Sequence, residues 1–229
     1  MEMMIKNKST FFTILFSVLF SFQSASQSYD FGTWWGFEIR KKLPKKFSAS
    51  FESEIRLNEN SLFVRNIFIE PSVSYEALKW LSLAVQYRFD NRYQREDDYF
   101  LQRHRISIDI NISYPIKRFT LDYRNRTQIE WENFFAPDIN YPLVDNRSMI
   151  GTTFKWPNLP FRTYAQNEIW IPLTTDEFSI NRYRLTIGQE WAYQKIHRFQ
   201  VRYIMQFPPN DATPSIEQII SVRYILALK

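Results

Sequence analysis

LSLAVQYRFDNRY (81–93), LQRHRISIDINISY (101–114) and FTLDYRNRTQIEW (119–131) share one pattern. In the first, Leu81, Leu83, Val85, Tyr87 and Phe89 alternate with Ser82, Ala84, Gln86, Arg88, Asp90 and Arg92. In the second, His104, Ile106, Ile108, Ile110, Ile112 and Tyr114 alternate with Arg103, Arg105, Ser107, Asp109, Asn111 and Ser113. In the third, Phe119, Leu121, Tyr123, Ile129 and Trp131 oppose Thr120, Asp122, Arg124, Arg126, Gln128 and Glu130. A period of two belongs to a β-strand, whose successive side chains point to opposite faces.

The same alternation marks 31–42, 47–57, 63–75, 147–156, 161–171, 181–193, 198–207 and 217–228, giving eleven candidate strands. At about 3.3 Å per residue and a tilt near 45°, ten residues rise about 23 Å, close to the apolar band of a membrane barrel. Short connections (43–46, 76–79, 115–118, 157–160, 194–198) alternate with longer polar ones (58–62, 94–100, 132–146, 172–180, 208–216). Transmembrane barrels show this asymmetry, with turns on the periplasmic side and loops outside.

Aromatics bracket the short turns: Tyr75 and Trp80, Tyr114 and Phe119, Trp156 and Phe161, Tyr193 and Phe199. The bracket from Lys42 to Phe47 has an aromatic on its far side only. These eight residues form a girdle at one level of the sheet, where rings suit a boundary that is apolar on one side and wet on the other. One count conflicts with this scheme. Strand 31–42 would begin outside, whereas a cleaved N-terminus should start inside. A ten-stranded core with 31–42 elsewhere, a further strand, or an odd barrel closed by one parallel pair each resolve it.

Residues 1–26 read as a cleaved signal peptide, with Lys6 and Lys8 before an apolar run from Phe11 to Phe22 and small residues at Ser24, Ala25 and Ser26. Residues 27–229 then form a single barrel domain. The apolar run is shorter than the roughly 20 residues of a spanning helix, no second such run follows, and mean hydropathy is −0.39. Cysteine is absent, which excludes disulfides, thiolate metal sites and cysteine nucleophiles. The net charge of +5 is spread over almost every strand rather than gathered in one basic patch, which argues against nucleic acid as a partner.

Alternation does not say which face points inward. In a soluble exported barrel the apolar face would be the core. The export signal, the long uniform strands and the level-specific aromatics favour the inverted arrangement, with a polar lumen. Small residues (Ser48, Ser50, Ser72, Ser74, Ser82, Ala84, Ser113, Thr120) then lie near the periplasmic turns. Arg56, Arg88, Arg92, Arg103, Arg105, Arg126, Arg147, Arg182 and Arg184 crowd the outer half, with Glu52, Glu54, Glu70, Asp90, Glu130 and Glu168 among them. Such side chains either pair across a narrow interior and plug it or leave an anion-attracting constriction.

Catalytic signals are weak. His104 falls on the apolar, lipid-facing stripe, where outer-membrane lipid hydrolases place a catalytic histidine with a serine two residues on; here that residue is Ile106. Ser148 shares the face, but the strand 119–131 separates the two by two strand spacings near 4.8 Å, beyond hydrogen-bond reach. His197 reads as a solvated turn residue. Glu52 and Glu54 read as salt-bridge partners rather than a hydrolytic pair. Glu96, Asp97 and Asp98 read as a solvated acidic loop, and neither a phosphate loop nor a His/Asp metal cluster is present.

YDFGTWW (29–35), KKLPKKF (41–47) and SFESEIR (50–56) resemble the start of an uncharacterised group of exported barrels, the domain of unknown function 2490. The resemblance implies an outer-membrane location and supplies no activity, substrate or functional residue.

The expectation is an all-β, antiparallel transmembrane β-barrel of ten to twelve strands in the outer membrane, not an enzyme and without cofactor. Its partners would be outer-membrane lipid, a small anionic solute and the barrel-assembly machinery. The leading function is a porin-like narrow channel or binding barrel for that solute, through a lumen lined by the nine outer arginines and Glu130. A non-conducting scaffold or surface-interaction barrel closed by Arg–Glu pairs is the alternative, and an outer-face lipid-modifying enzyme the remote one.

Overall fold

The computed structural model describes residues 29–94, 98–132, 142–175, 178–194, 196–207 and 216–228. The signal segment 1–26, and Glu96 and Asp97 of the acidic loop, lie outside the described residues. Eleven strands run β1 (Tyr29–Lys42), β2 (Phe47–Asn58), β3 (Phe63–Leu78), β4 (Leu81–Gln94), β5 (Tyr99–Ile116), β6 (Phe119–Glu132), β7 (Leu143–Lys155), β8 (Phe161–Pro172), β9 (Arg182–Tyr193), β10 (His197–Phe207) and β11 (Ile216–Leu228). They close into one barrel in the order β1-β11-β10-β9-β8-β7-β6-β5-β4-β3-β2.

Ten pairings join sequence neighbours in antiparallel hairpins, and short turns fix the register of five of them. The eleventh is parallel: β1 pairs with β11 from Tyr29↔Ile216 to Lys41↔Leu228. Of the three arrangements open for 31–42, this is the odd barrel closed by one parallel pair, with β1 running in the same direction as β11. An odd number of alternating strands leaves the first and last pointing the same way, so only a parallel pair can close the sheet and remove its edges.

Some boundaries differ from the pattern. β3 and β5 extend to Leu78 and Ile116, which tightens their turns to Lys79–Trp80 and Lys117–Arg118. β7 starts at Leu143 rather than at 147, because Val144 and Asp145 continue the alternation and pair with Ile129 and Gln128. The turns take left-handed backbone at Lys45, Lys46, Lys117, Asn158 and Gln194. All four glycines lie in strands instead. Gly188 makes room for a neighbour: a Cβ there would stand 2.4 Å from the ring of Tyr164.

The polarity of the faces is inverted relative to a soluble barrel. Val85, Ile108, Ile110, Ile150 and Ile187 are among the exposed residues, whereas Glu38, Glu54, Asp90, Arg126 and Glu168 are buried. An apolar outside around a charged inside is stable only with lipid as the outer solvent, so the barrel is transmembrane. The aromatics bracketing the short turns gather at one end, in cross-strand contacts such as Phe47–Tyr75 (5.0 Å), Phe119–Phe154 (4.9 Å) and Phe161–Trp191 (6.4 Å).

His197 is not a solvated turn residue. It is the first residue of β10, outward-facing and half-buried, with Nδ1 2.6 Å from the Tyr224 hydroxyl and its ring stacked on that tyrosine. The pairing of His197 with Leu226 extends the ladder further than the sequence pattern indicated.

Candidate functional site: the barrel interior

Each strand sends alternate residues inward, and in the outer half those residues are mainly charged. Arg56, Arg88, Arg92, Arg103, Arg105, Arg126, Glu130, Arg147, Arg182 and Arg184 all line one interior cavity of about 320 Å³. Its wall carries thirteen arginines against six carboxylates (Glu52, Glu70, Asp90, Glu130, Asp145, Glu168); with Glu54, Asp109 and Glu217, which pair with wall arginines from beside that lining, the excess is four positive charges.

The carboxylates are held in two nodes on opposite sides of the barrel, with a band between them. At the first, on β2, the fully buried Glu54 accepts from Arg56 (2.7 Å), Arg223 (2.8 Å) and Arg202 (3.4 Å). Arg223 of β11 also reaches Glu52 (2.6 Å) and Glu38 (3.7 Å), so this node stitches the parallel seam from inside. At the second, on β8, Glu168 meets Arg124 (2.5 Å), Arg147 (2.9 Å) and Arg184 (3.7 Å).

The intervening band runs over β3 to β6. Glu70 accepts from Arg88 at 2.6 Å, and Asp109 takes Arg126 through both oxygens at 2.6 and 2.7 Å. Arg103 bridges Asp90 and Glu130, the latter at 2.7 Å. Bidentate pairs of this kind fix both members in place.

Aromatic rings on the lumenal face support the cations. Arg56 stands 4.0 Å over Trp34, Arg88 3.6 Å over Phe68, and Arg147 and Arg184 4.3 and 4.6 Å over Trp170. These aromatics were missed from sequence, although a signal existed. Phe68 follows Asn66 and precedes Glu70, and Trp170 follows Glu168, so both stand on the polar parity of their strands. Arg202 and Arg223 were missed too, and strand alternation alone would have placed them.

After all pairing, cationic donors are left over. Arg92 and Arg182 form no ion pair among the described residues, and Arg105 finds its carboxylate only at 3.5 Å. The buried Nε groups of Arg103, Arg105, Arg124, Arg182, Arg202 and Arg223 have no hydrogen-bond partner there. The arginines of the wall thus keep donor capacity that the carboxylates around them do not use. No group of His, Asp and Glu that could hold a metal occurs among the described residues.

On the outer surface, His104 Nδ1 lies 2.7 Å from the Tyr87 hydroxyl. Ser148 sits two strands away on β7, as the pattern implied, and hydrogen-bonds to Asn125 rather than to the histidine. Asp98 accepts from Tyr93 at 2.7 Å.

The sequence model of the family described as proteins of unknown function (DUF2490) matches residues 31–217. The chain belongs to that family. No curated protein matches it. Among solved structures, the β domain of the Bordetella autotransporter BrkA aligns with a TM-score of 0.47 at 10% identity, covering 74% of this chain and 78% of that one. LpxR from Salmonella typhimurium aligns at 0.48 with 9% identity, over 79% and 83% of the two chains. An anion-selective porin from Comamonas acidovorans aligns at 0.39 with 13% identity, over 81% of this DUF2490 chain and 52% of its own. These likenesses are between barrels in general.

Proposed function

We propose that this DUF2490 protein is an outer-membrane barrel that takes up a small anionic solute into its lumen, from the side of the longer loops. The observation that carries the reading is the surplus of arginine on the wall of a cavity of about 320 Å³, four positive charges beyond the carboxylates that line it and Glu54, Asp109 and Glu217 beside them. A low-dielectric wall focuses that charge, raising the local concentration of anions and repelling cations. Arg92 and Arg182, which no carboxylate neutralises among the described residues, are the first donors a solute would meet, and Arg105 and Arg184 the next. The solute class is a compact oxyanion, carboxylate or phosphate, that a planar guanidinium fork can grip.

Planar-bilayer recording on refolded protein tests this reading. The expected result is a small conductance whose reversal potential in a salt gradient shows anion selectivity. Binding of inorganic phosphate, followed through the emission of Trp34 and Trp170 beneath the arginines, covers a barrel that binds without conducting. Absence of both conductance and phosphate binding would overturn the proposal. That outcome would favour the second reading, a closed scaffold, for which the specific observation is the pair of arginine-capped nodes at Glu54 and Glu168 reaching inward from opposite sides.

A further inference from the structure

The outward face is apolar around most of the barrel but not on one side. Asn125 and Thr127 of β6 lie directly across from Ser148 and Asn146 of β7. The amides of Asn125 and Asn146 exchange two hydrogen bonds (3.0 and 3.2 Å), Asn125 also donates to Ser148 (3.1 Å), and Asn146 donates to Thr127 (3.3 Å). On the next strands Asn167 donates to the Tyr183 hydroxyl at 2.5 Å.

Asn125 stands six residues above Phe119, and Asn167 six above Phe161, which is about 14 Å above the girdle at the usual rise and tilt. That is the middle of the apolar band, where β3, β4 and the adjoining β5 present Ile67, Ile69, Val85 and Ile110, the last directly across from Asn125. Amides facing hydrocarbon at that depth are unfavourable even when partly bonded to each other. At the outer rim of the same side the pattern reverses. Leu173, Phe178 and Ile180, in the loop between β8 and β9, are 54%, 79% and 51% exposed. This side is thus polar where lipid should lie and apolar beyond the strand ends.

We propose that the β6–β8 face is the contact through which two copies of this chain associate side by side in the membrane. The chemistry selects a second copy. Among the described residues no lysine or arginine faces outward on β6, β7 or β8, so an anionic headgroup finds no counter-charge there, and mid-band depth keeps headgroups away in any case. Among the described residues the hydrogens of the Thr127 and Tyr183 hydroxyls and one N–H of Asn167 remain as donors, and the Asn167 carbonyl with lone pairs on Asn125, Thr127 and Ser148 as acceptors. Donors and acceptors occur on the same face, which suits an isologous contact about a twofold axis. Asparagines hydrogen-bond across such contacts in lipid, while the exposed loop residues bury apolar area above them. The inference rests on the barrel lying in lipid and not on what its lumen binds.

Full-length protein refolded into phosphatidylcholine vesicles tests it. The chain has no cysteine, so Ser148→Cys introduces a single reporter on β7 and Ile69→Cys a matched one on the far side. Oxidation is expected to give a disulfide-linked dimer with S148C and little with I69C. Dilution in vesicles, read by energy transfer between labelled copies, should show Asn146→Leu weakening self-association about tenfold. N146L makes the surface more lipid-like, so its heat-modifiable gel migration should be intact. Equal cross-linking of the two cysteine variants, or monomers at every dilution, would overturn the proposal. So would a cross-link in cells from S148C to another protein with none to itself.

Discussion

Glu54→Gln is the most informative perturbation of the barrel interior, because one fully buried carboxylate answers three arginines across the closing seam. The change keeps the shape and removes the charge. Arg223 retains Glu52 at 2.6 Å, and Arg202 retains the Ser221 hydroxyl at 2.7 Å. Arg56 has no second ion-pair partner among the described residues and keeps only the faces of Trp34 and Phe68. Removing one member of a buried ion pair costs about 3–5 kcal/mol, since the other charge stays desolvated. With a urea slope of about 2 kcal/mol per molar, the unfolding midpoint should fall by roughly 1.5–2.5 M. The assay is urea unfolding in detergent micelles, followed by heat-modifiable gel migration and far-UV dichroism. Glu190→Gln is the control: its partner Arg198 is 29% accessible, so the loss should be about 1 kcal/mol or less. The double variant E54Q with Arg202→Met should recover part of the loss, because it removes a stranded cation. A midpoint for E54Q no lower than that of E190Q would refute the reasoning, showing that the node is as well hydrated as the open pair.

Three further outcomes follow from the same geometry. Arg182→Ala should leave the unfolding midpoint within about 0.5 kcal/mol of the parent, since it breaks no ion pair, while lowering phosphate binding and anion selectivity in the bilayer; Arg103→Ala should instead destabilise by stranding Asp90 and Glu130. Gly188→Ala should lower stability by about 1–3 kcal/mol through overpacking against Tyr164, with Tyr164→Leu restoring much of it in a double-mutant cycle. Ile110→Lys places a charge on the lipid face near mid-band and should cost about 2–4 kcal/mol of folding free energy in vesicles; no effect there would contradict the assignment of faces.

The amino-acid sequence by itself determined the strands, their faces and the end at which the turns gather. The reason is covalent: alternation of side chains is a property of an extended chain, so parity placed Arg56, Arg88 and Arg182 on one face and Ile106, Ile108 and Ile110 on the other before any contact was known. Hairpin pairing was legible for the same reason, because a short turn leaves neighbouring strands few registers.

Only the tertiary structure decided what depends on closure and register between distant segments. The parallel seam of β1 with β11 is one such feature. Another is the meeting of Arg223 with Glu52 and Glu54, separated in sequence by most of the barrel. The ladder of Asn125, Thr127, Asn146 and Ser148 needed the β6–β7 register across a long loop. His197 looked like part of a turn until its pairing with Leu226 and its bond to Tyr224 extended the strand. In each case local pattern gave the facing direction of a side chain, and ring closure gave its partner.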